Sequence, residues 1–213
     1  MSSCKALRMD CYGVKAALRH PLLEGKKMIG RGVFSMVFEG TRKNTVLKMT
    51  VDNLGYMMLN DRVSGIRHKH FPKVVETHDD IGETKIGAES HLVYLFEMER
   101  LEKLQKDSDA KRLARLITNV TGTTSMRHKG SWRDEYRSAE LLKAMKTSDE
   151  LPRSIKNALG RLEMFCRDIP GGTLDMHAGN FMQRKNGDLV MIDPIADMKL
   201  WEQAKVQVFV RGW

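Results

Sequence analysis

The dipeptide Asn186-Gly187 constrains the fold of this chain more than any other short stretch. It stands between "FMQR" and "DLVMID", two runs of apolar residues, and Asn-Gly in that setting is the strongest short-range signal for a β-hairpin. A hairpin brings its two ends together. The residue before Phe181 and the residue after Ile192 are therefore expected to be neighbours, which sets Asn180 beside Asp193, with Asp175 on the loop just ahead. Any one of the three alone would read as a turn residue, since Asp and Asn are common in loops. Together, at one edge of an apolar hairpin, they form a set of three oxygen-bearing side chains, two of them anionic. Such a set suits a hard cation such as Mg²⁺, which takes one or two protein oxygens plus phosphates, and leaves one group to orient a hydroxyl nucleophile.

The rest of the chain divides by pattern. Residues 1–25 are basic and mixed, an N-terminal arm with a short helix expected from Val14 to Leu22. Residues 26–99 are strand-rich. "KMIGRGVFSMVFEG" predicts two strands around a glycine-containing turn, "NTVLKMTV" a third, and "FPKVVETHD" and "HLVYLFEM" two more. Between them a helix is expected from Asp52 to Ser64, with Asp52 as its N-cap and Leu54, Met57, Met58 and Asp61 on one face. Residues 100–213 are helical in character apart from the late hairpin. Leu113, Leu116, Ile117 and Val120 mark one helix, and Tyr136, Ala139, Leu142 and Met145 a second. Ile155, Leu159, Leu162 and Phe165 or Cys166 mark a third, with Pro152 in its first turn. Residues 121–132 read as a loop. The fold class expected is α+β, with a small β-rich half and a helical half.

Two features of the β-rich half point to phosphate. "GRGVFSMVF" sets Gly30 and Gly32 in a strand–turn–strand context, with Ser35 where a third glycine would stand; such a pattern is common in ordinary turns. Lys48 stands beside apolar Val46 and Leu47 inside a strand, where an ammonium gains from meeting an anion. A glycine-rich hairpin, a strand lysine and a later Asp/Asn/Asp set are together the parts of a phosphoryl-transfer site.

Bulk properties narrow the alternatives. At 213 residues with 41% hydrophobic and 30% charged residues, the chain has the composition of a globular protein. No apolar run approaches the length of a bilayer span, and no signal-peptide core stands at the N-terminus, so no membrane association is expected. The three cysteines, Cys4, Cys11 and Cys166, lack disulfide or C-x-x-C zinc spacing, which points to a reducing cytoplasm. The net charge of +9 attracts polyanions, whether nucleotides, nucleic acid or acidic protein surfaces. Aromatic residues are 7% and do not alternate with the basic ones, so at most weak, non-specific nucleic-acid binding is expected.

The motifs as a set resemble those of protein kinases, and among them the small serine/threonine kinases of T7-type phages. The match rests on "DMHAGN" at Asp175–Asn180, "NGD" at Asn186–Asp188, "DP" at Asp193–Pro194 in place of the usual Asp-Phe-Gly, the Gly30–Lys48 segment, and "LFEMERL" as a strand leading to a hinge. It covers residues 26–200. The resemblance implies a two-lobed kinase-like fold with residues 26–99 as the small lobe and 100–213 as a minimal, truncated helical lobe. It implies ATP and Mg²⁺ as cofactors and host proteins as substrates, in the host cytoplasm if the protein is viral. Asp175 would be the catalytic aspartate; Asn180 and Asp193 would hold Mg²⁺. Lys48 would grip the α- and β-phosphates under Gly30, Gly32 and Ser35. Backbone groups from Glu99 to Leu101 would meet the adenine edge, with Met98 or Phe96 at the back. The sequence also departs from the pattern. Thr173-Leu174 replaces the His-Arg that ordinarily precedes the aspartate. No glutamate lies between Lys48 and Val75, leaving Asp61 as the candidate partner of the lysine, and only the 20 residues 194–213 follow Asp193. Two other readings fit the same motifs: a small-molecule phosphotransferase, and an inactive kinase-like protein that acts by binding a host target.

Overall fold

A computed structural model describes residues 12–60, 66–121, 142, 143 and 145–203, and in it the chain is a mixed α+β protein. The described residues form two compact units. One comprises 12–56, 74–100 and 199–203, the other 57–60, 66–73, 101–121, 142, 143 and 145–198. No helix among the described residues is long and apolar enough to cross a membrane.

The first unit is built on a five-stranded antiparallel sheet in the order β1-β2-β3-β5-β4. Its strands are β1 (Met28–Arg31), β2 (Ser35–Glu39), β3 (Thr45–Thr50), β4 (Val74–Ile86) and β5 (Glu89–Glu99). β3 is central, and all six of its side chains are buried. Side chains alternate across a pleated sheet, so Leu47 and Met49 lie on one face while Val46, Lys48 and Thr50 lie on the other. The first face, with Met36, Phe38, Val93 and Leu95, packs against Val14 and Ala17 of helix α1 (Tyr12–Ala17) and against Leu200 and Trp201. On the opposite face the Tyr56 ring of helix α2 (Asn53–Leu59) stacks on Tyr94 at 4.1 Å between centroids. Asp52 caps α2 as expected, its Oδ1 accepting from Gly55 N at 2.9 Å.

Three expectations for this half require revision. The first helix ends at Ala17 and continues as turns, because proline at 21 disfavours helical backbone at the residue before it. The helix expected from Asp52 to Ser64 ends at Leu59; Asp61 lies outside the described residues. β4 runs on to Ile86, well past the segment expected as a strand, and turns through Gly87-Ala88 into β5. Positive φ at Asp79 (50°) and Gly82 (147°) accompanies the breaks in its register. A sheet edge tolerates such irregularity, and glycine and aspartate hide the strand from a propensity reading.

The second unit carries helix α3 (Asp109–Thr121) and helix α4 (Arg153–Asp168). Two short antiparallel ladders accompany them: β6 (Gly172–Leu174) with β9 (Ile195–Asp197), and β7 (Phe181–Gln183) with β8 (Leu189–Met191). α4 buries Ile155, Ala158, Leu159, Leu162 and Phe165, with Pro152 at the residue before its first turn; Phe165, not Cys166, takes the inward position. Each of these side chains other than Ala158 contributes about 1.5–3 kcal/mol on burial. α3 buries Ala110, Ala114, Ile117 and Thr118, while Leu113 and Leu116 are half-buried. Leu142 and Met145 are fully buried in helical residues. Tyr136, Ala139 and the loop expected at 121–132, apart from the last residue of α3, lie outside the described residues.

Candidate active site

The hairpin turns where Asn186-Gly187 predicts. Gly187 has φ of 86°; its N–H donates to Arg184 O at 2.9 Å, and Arg184 N donates to Asp188 O at 3.0 Å. Gly187 alone takes the left-handed conformation, closing a three-residue loop with a glycine bulge. The register that follows pairs Phe181 with Met191, and one step on Ile192 N donates to Asn180 O at 2.9 Å.

A second ladder, absent from the sequence reading, completes the site. Leu174 of β6 pairs with Ile195 of β9, and Asp175 N donates to Pro194 O at 2.8 Å. The Asp175–Asn180 loop is thus clasped to the Ile192–Pro194 segment from both ends. The Asn180 side chain closes the gap: its Nδ2 donates to the carbonyl of Asp175 and to that of Asp193, each at 2.7 Å. An amide nitrogen carries two hydrogens, so both are spent on backbone. That fixes the amide plane and leaves Oδ1 as the side chain's remaining acceptor. The three residues expected to converge do so.

The electrostatics are those of a poised carboxyl. Asp175 is only 7% exposed, and its Oδ1 is buried without a hydrogen-bond partner. Burial, then the Asp193 charge, push its pKa up to about 7. His177 accepts from Gly179 N through Nδ1 at 3.0 Å and sets Nε2 3.7 Å from Asp175 Oδ1. Burial lowers the His177 pKa, with the Asp193 charge acting the other way; because Nδ1 accepts from Gly179 N, the neutral ring carries its proton on Nε2, facing the carboxyl.

In the first unit, Gly30 lies in β1 opposite Val37. Gly32 N donates to Ser35 O at 2.9 Å, and a Cβ on Gly32 would stand 2.8 Å from Ser35 Oγ, so the turn is tight enough to favour glycine. Lys48 is 8% exposed, on the face of the sheet that carries Phe96, with its Nζ 6.0 Å from the ring centroid. Glu99 ends β5 opposite Thr45. Leu101 follows as the first residue of the second unit's long segment.

Several supporting residues escaped the sequence reading. Gln183 of β7 is buried, and its Oε1 accepts from Gln105 N and from Ser108 Oγ, both at 3.0 Å. Ser108 in turn caps α3 by accepting from Lys111 N at 3.1 Å. His70 bonds Leu189 O at 2.6 Å through Nδ1 and Ser154 Oγ at 3.0 Å through Nε2, tying the hairpin to the start of α4. Glu97 is fully buried in β5, where it accepts from Thr41 N (2.8 Å), Thr41 Oγ1 (2.6 Å), Arg42 N (3.0 Å) and the Thr45 hydroxyl. Glu76, His78 and Glu97 bring potential ligand atoms within 4.8 Å of one another, but donors from the Thr41–Thr45 turn already satisfy Glu97, and Arg42 bonds Glu76. That cluster is a turn anchor. No protein-family model matches the chain, and no curated protein matches it.

Proposed function

We propose that the protein is an ATP-dependent serine/threonine protein kinase, of the kind the phage resemblance implies, that phosphorylates host proteins. One observation carries the reading. Asp175, Asn180 and Asp193 are held together by backbone ladders on both sides, with the Asn180 amide locked on two carbonyls and a buried Asp175 oxygen left without a partner. Mere turn residues would be solvated or would satisfy one another. A buried carboxyl with a raised pKa beside a second carboxylate is the arrangement expected where protons and charge are handled.

The donor set fits Mg²⁺, being all oxygen: Asn180 Oδ1 and the Asp193 carboxylate. When bound, the ion would neutralise charge on the phosphates. The chain's own residues do the rest. Asp175 accepts the hydroxyl proton of the attacking serine or threonine as the new O–P bond forms and the bond to the ADP oxygen breaks. His177 stands beside Asp175, its Nε2 3.7 Å from Oδ1, too far for a hydrogen bond in the free site. Lys48, buried among apolar neighbours, supplies a fixed positive charge for the nucleotide phosphates, and the tight Gly32 turn lets backbone N–H groups approach them. Glu99 to Leu101 offers backbone groups to the adenine edge.

The test is transfer of label from γ-labelled ATP with Mg²⁺ to proteins of a bacterial lysate, followed by identification of phosphoserine and phosphothreonine by mass spectrometry. Label in protein with the parent and none with Asp193→Asn is the expected result. No label in any protein, the chain itself included, overturns the reading.

A further inference from the structure

The second unit contains a cavity of about 500 Å³ that the reaction proposed above does not use. Its wall includes Lys103, Lys111 and Arg115, together with Thr118, Gly179 and Phe181. We propose that this cavity binds acidic side chains flanking the phosphoacceptor hydroxyl, so that the preferred substrate is an acidic peptide segment. The proposal rests on the kinase reading for the chemistry and on the cavity alone for the binding.

Position is the first argument. Ala178 and Gly179 line the cavity and belong to the same short loop as Asp175. α3 is held to that loop by the Thr118 hydroxyl, 2.8 Å from Ala114 O and 3.2 Å from Met176 O. A segment lodged in the cavity therefore lies against the loop that carries the catalytic carboxyl.

Charge is the second. Three cations face one concavity, and no acidic side chain among the described residues pairs with any of them. Lys111 and Arg115 are four apart on α3, where like charges repel. Arg112, between them, takes Asp109 at 3.5 Å, so the helix pairs one cation and leaves two to the cavity. A helix that keeps such a pair gains when an anion occupies the space between them, and a guanidinium favours a carboxylate because it can donate two parallel hydrogen bonds.

Shape selects the occupant. Ala114 and Phe181, both buried, give the wall an apolar floor that suits the methylene stems of Asp and Glu. The volume lies within the range of small ligand sites, enough for a few side chains and too little for a duplex. Phe181, the aromatic residue of the wall, is buried and offers no exposed ring for stacking bases.

The experiment measures binding to the full chain without ATP, then transfer. Three labelled peptides carry one serine among Asp and Glu, among Lys and Arg, or among Gly and Ala, and fluorescence anisotropy reports each affinity at low salt. The acidic peptide is expected to bind about tenfold more tightly than the neutral one, and Lys111→Gln and Arg115→Gln each to weaken it several-fold. Lys185→Gln removes the same charge from an exposed position outside the cavity and should leave binding unchanged. Lys111→Glu with Arg115→Glu should turn the preference toward the basic peptide, a result that loss of fold cannot produce. Equal affinity for acidic and neutral peptides overturns the proposal. So does equal weakening by Lys185→Gln, or a single-stranded oligonucleotide that displaces the peptide and is itself lost with Lys111→Gln. Selective binding with no transfer to any protein would keep the cavity assignment and remove the kinase reading; transfer with no preference for acidic peptides would do the reverse.

Discussion

Asp175 holds a proton more tightly in the folded protein than in the unfolded chain, and that has a measurable sign. Its pKa rises from 3.8 to about 7. The proton therefore stabilises the fold fully below the unfolded value, and the stabilisation is lost as pH rises through 7. Asp175→Asn is expected to stabilise the metal-free protein at pH 8 by on the order of 4 kcal/mol, and to leave it nearly unchanged at pH 4. Phosphoryl transfer should fall by ~10²-fold or more, as expected for losing a positioned base. Urea midpoints at the two pH values check the first part; an asparagine variant weaker than the parent at pH 8 would mean that the charged carboxylate holds the loop together. Lys48→Met keeps the volume of a buried side chain and removes its charge. It is expected to abolish the Mg·ATP-induced rise in melting temperature, and an unchanged rise would make the lysine structural. Glu97 shows the opposite sign. Burial would raise its pKa, but the donors of the Thr41–Thr45 turn outweigh it and hold it at about 2. Its stabilisation is complete above pH 4.5 and fades as pH falls toward 2. Glu97→Gln should cost on the order of 3 kcal/mol at neutral pH and progressively less below pH 4, measured by denaturant unfolding.

At the scale of elements, the site depends on two ladders of three residues each, and only one of them is legible in the sequence. β7–β8 is local: a glycine at the required place and apolar residues on both sides specify it without reference to the rest of the chain. β6–β9 joins Gly172–Leu174 to Ile195–Asp197, across the whole intervening hairpin. Three residues carry too little periodicity to announce a strand whose partner is that distant. α3 and α4 are readable because their apolar spacing repeats over several turns. The Asp, Asn and Asp of the site are readable because their chemistry is unusual in an apolar setting. Glu97, His70 and Gln183 are not, because each is defined by partners remote in sequence: Thr41, Leu189 and Ser108. The local ladder is also the testable one. Gly187→Ala puts a Cβ on a residue at φ 86°, at a cost of about 1 kcal/mol. Open space around that position excludes a steric clash as the cause. Because β7 begins at Phe181, immediately after Asn180, the same substitution is expected to lower transfer activity more than it lowers stability at working temperature. An unchanged rate would mean that β6–β9 alone suffices to place Asn180.

At the scale of the whole molecule, a net charge of +9 acts on every polyanion, and that general attraction is distinct from binding at a site. A delocalised field binds duplex DNA with Kd of ~10⁻⁴–10⁻⁶ M at physiological salt, and log K falls by ~0.9 per phosphate neutralised as log salt rises. The protein is expected to show that behaviour, with no preference among sequences, as a charge-driven, sequence-independent attraction does. Titrations of two unrelated duplexes over a range of salt concentrations measure it. Nanomolar affinity for one of the two at physiological salt would make nucleic acid the partner and remove the support for a kinase acting on proteins. Salt alone does not separate a field from a cavity, since an acidic peptide also binds less tightly as salt rises. Locality does. Removing one charge of nine should change duplex binding by about the same small amount whether Lys111 or Lys185 is replaced, because phosphate contacts spread over a surface are nearly interchangeable. Peptide binding in the α3 cavity should respond to Lys111 and ignore Lys185. A duplex that discriminated between the two lysines would place its phosphates in the cavity, and the positive charge of α3 would then belong to nucleic-acid binding.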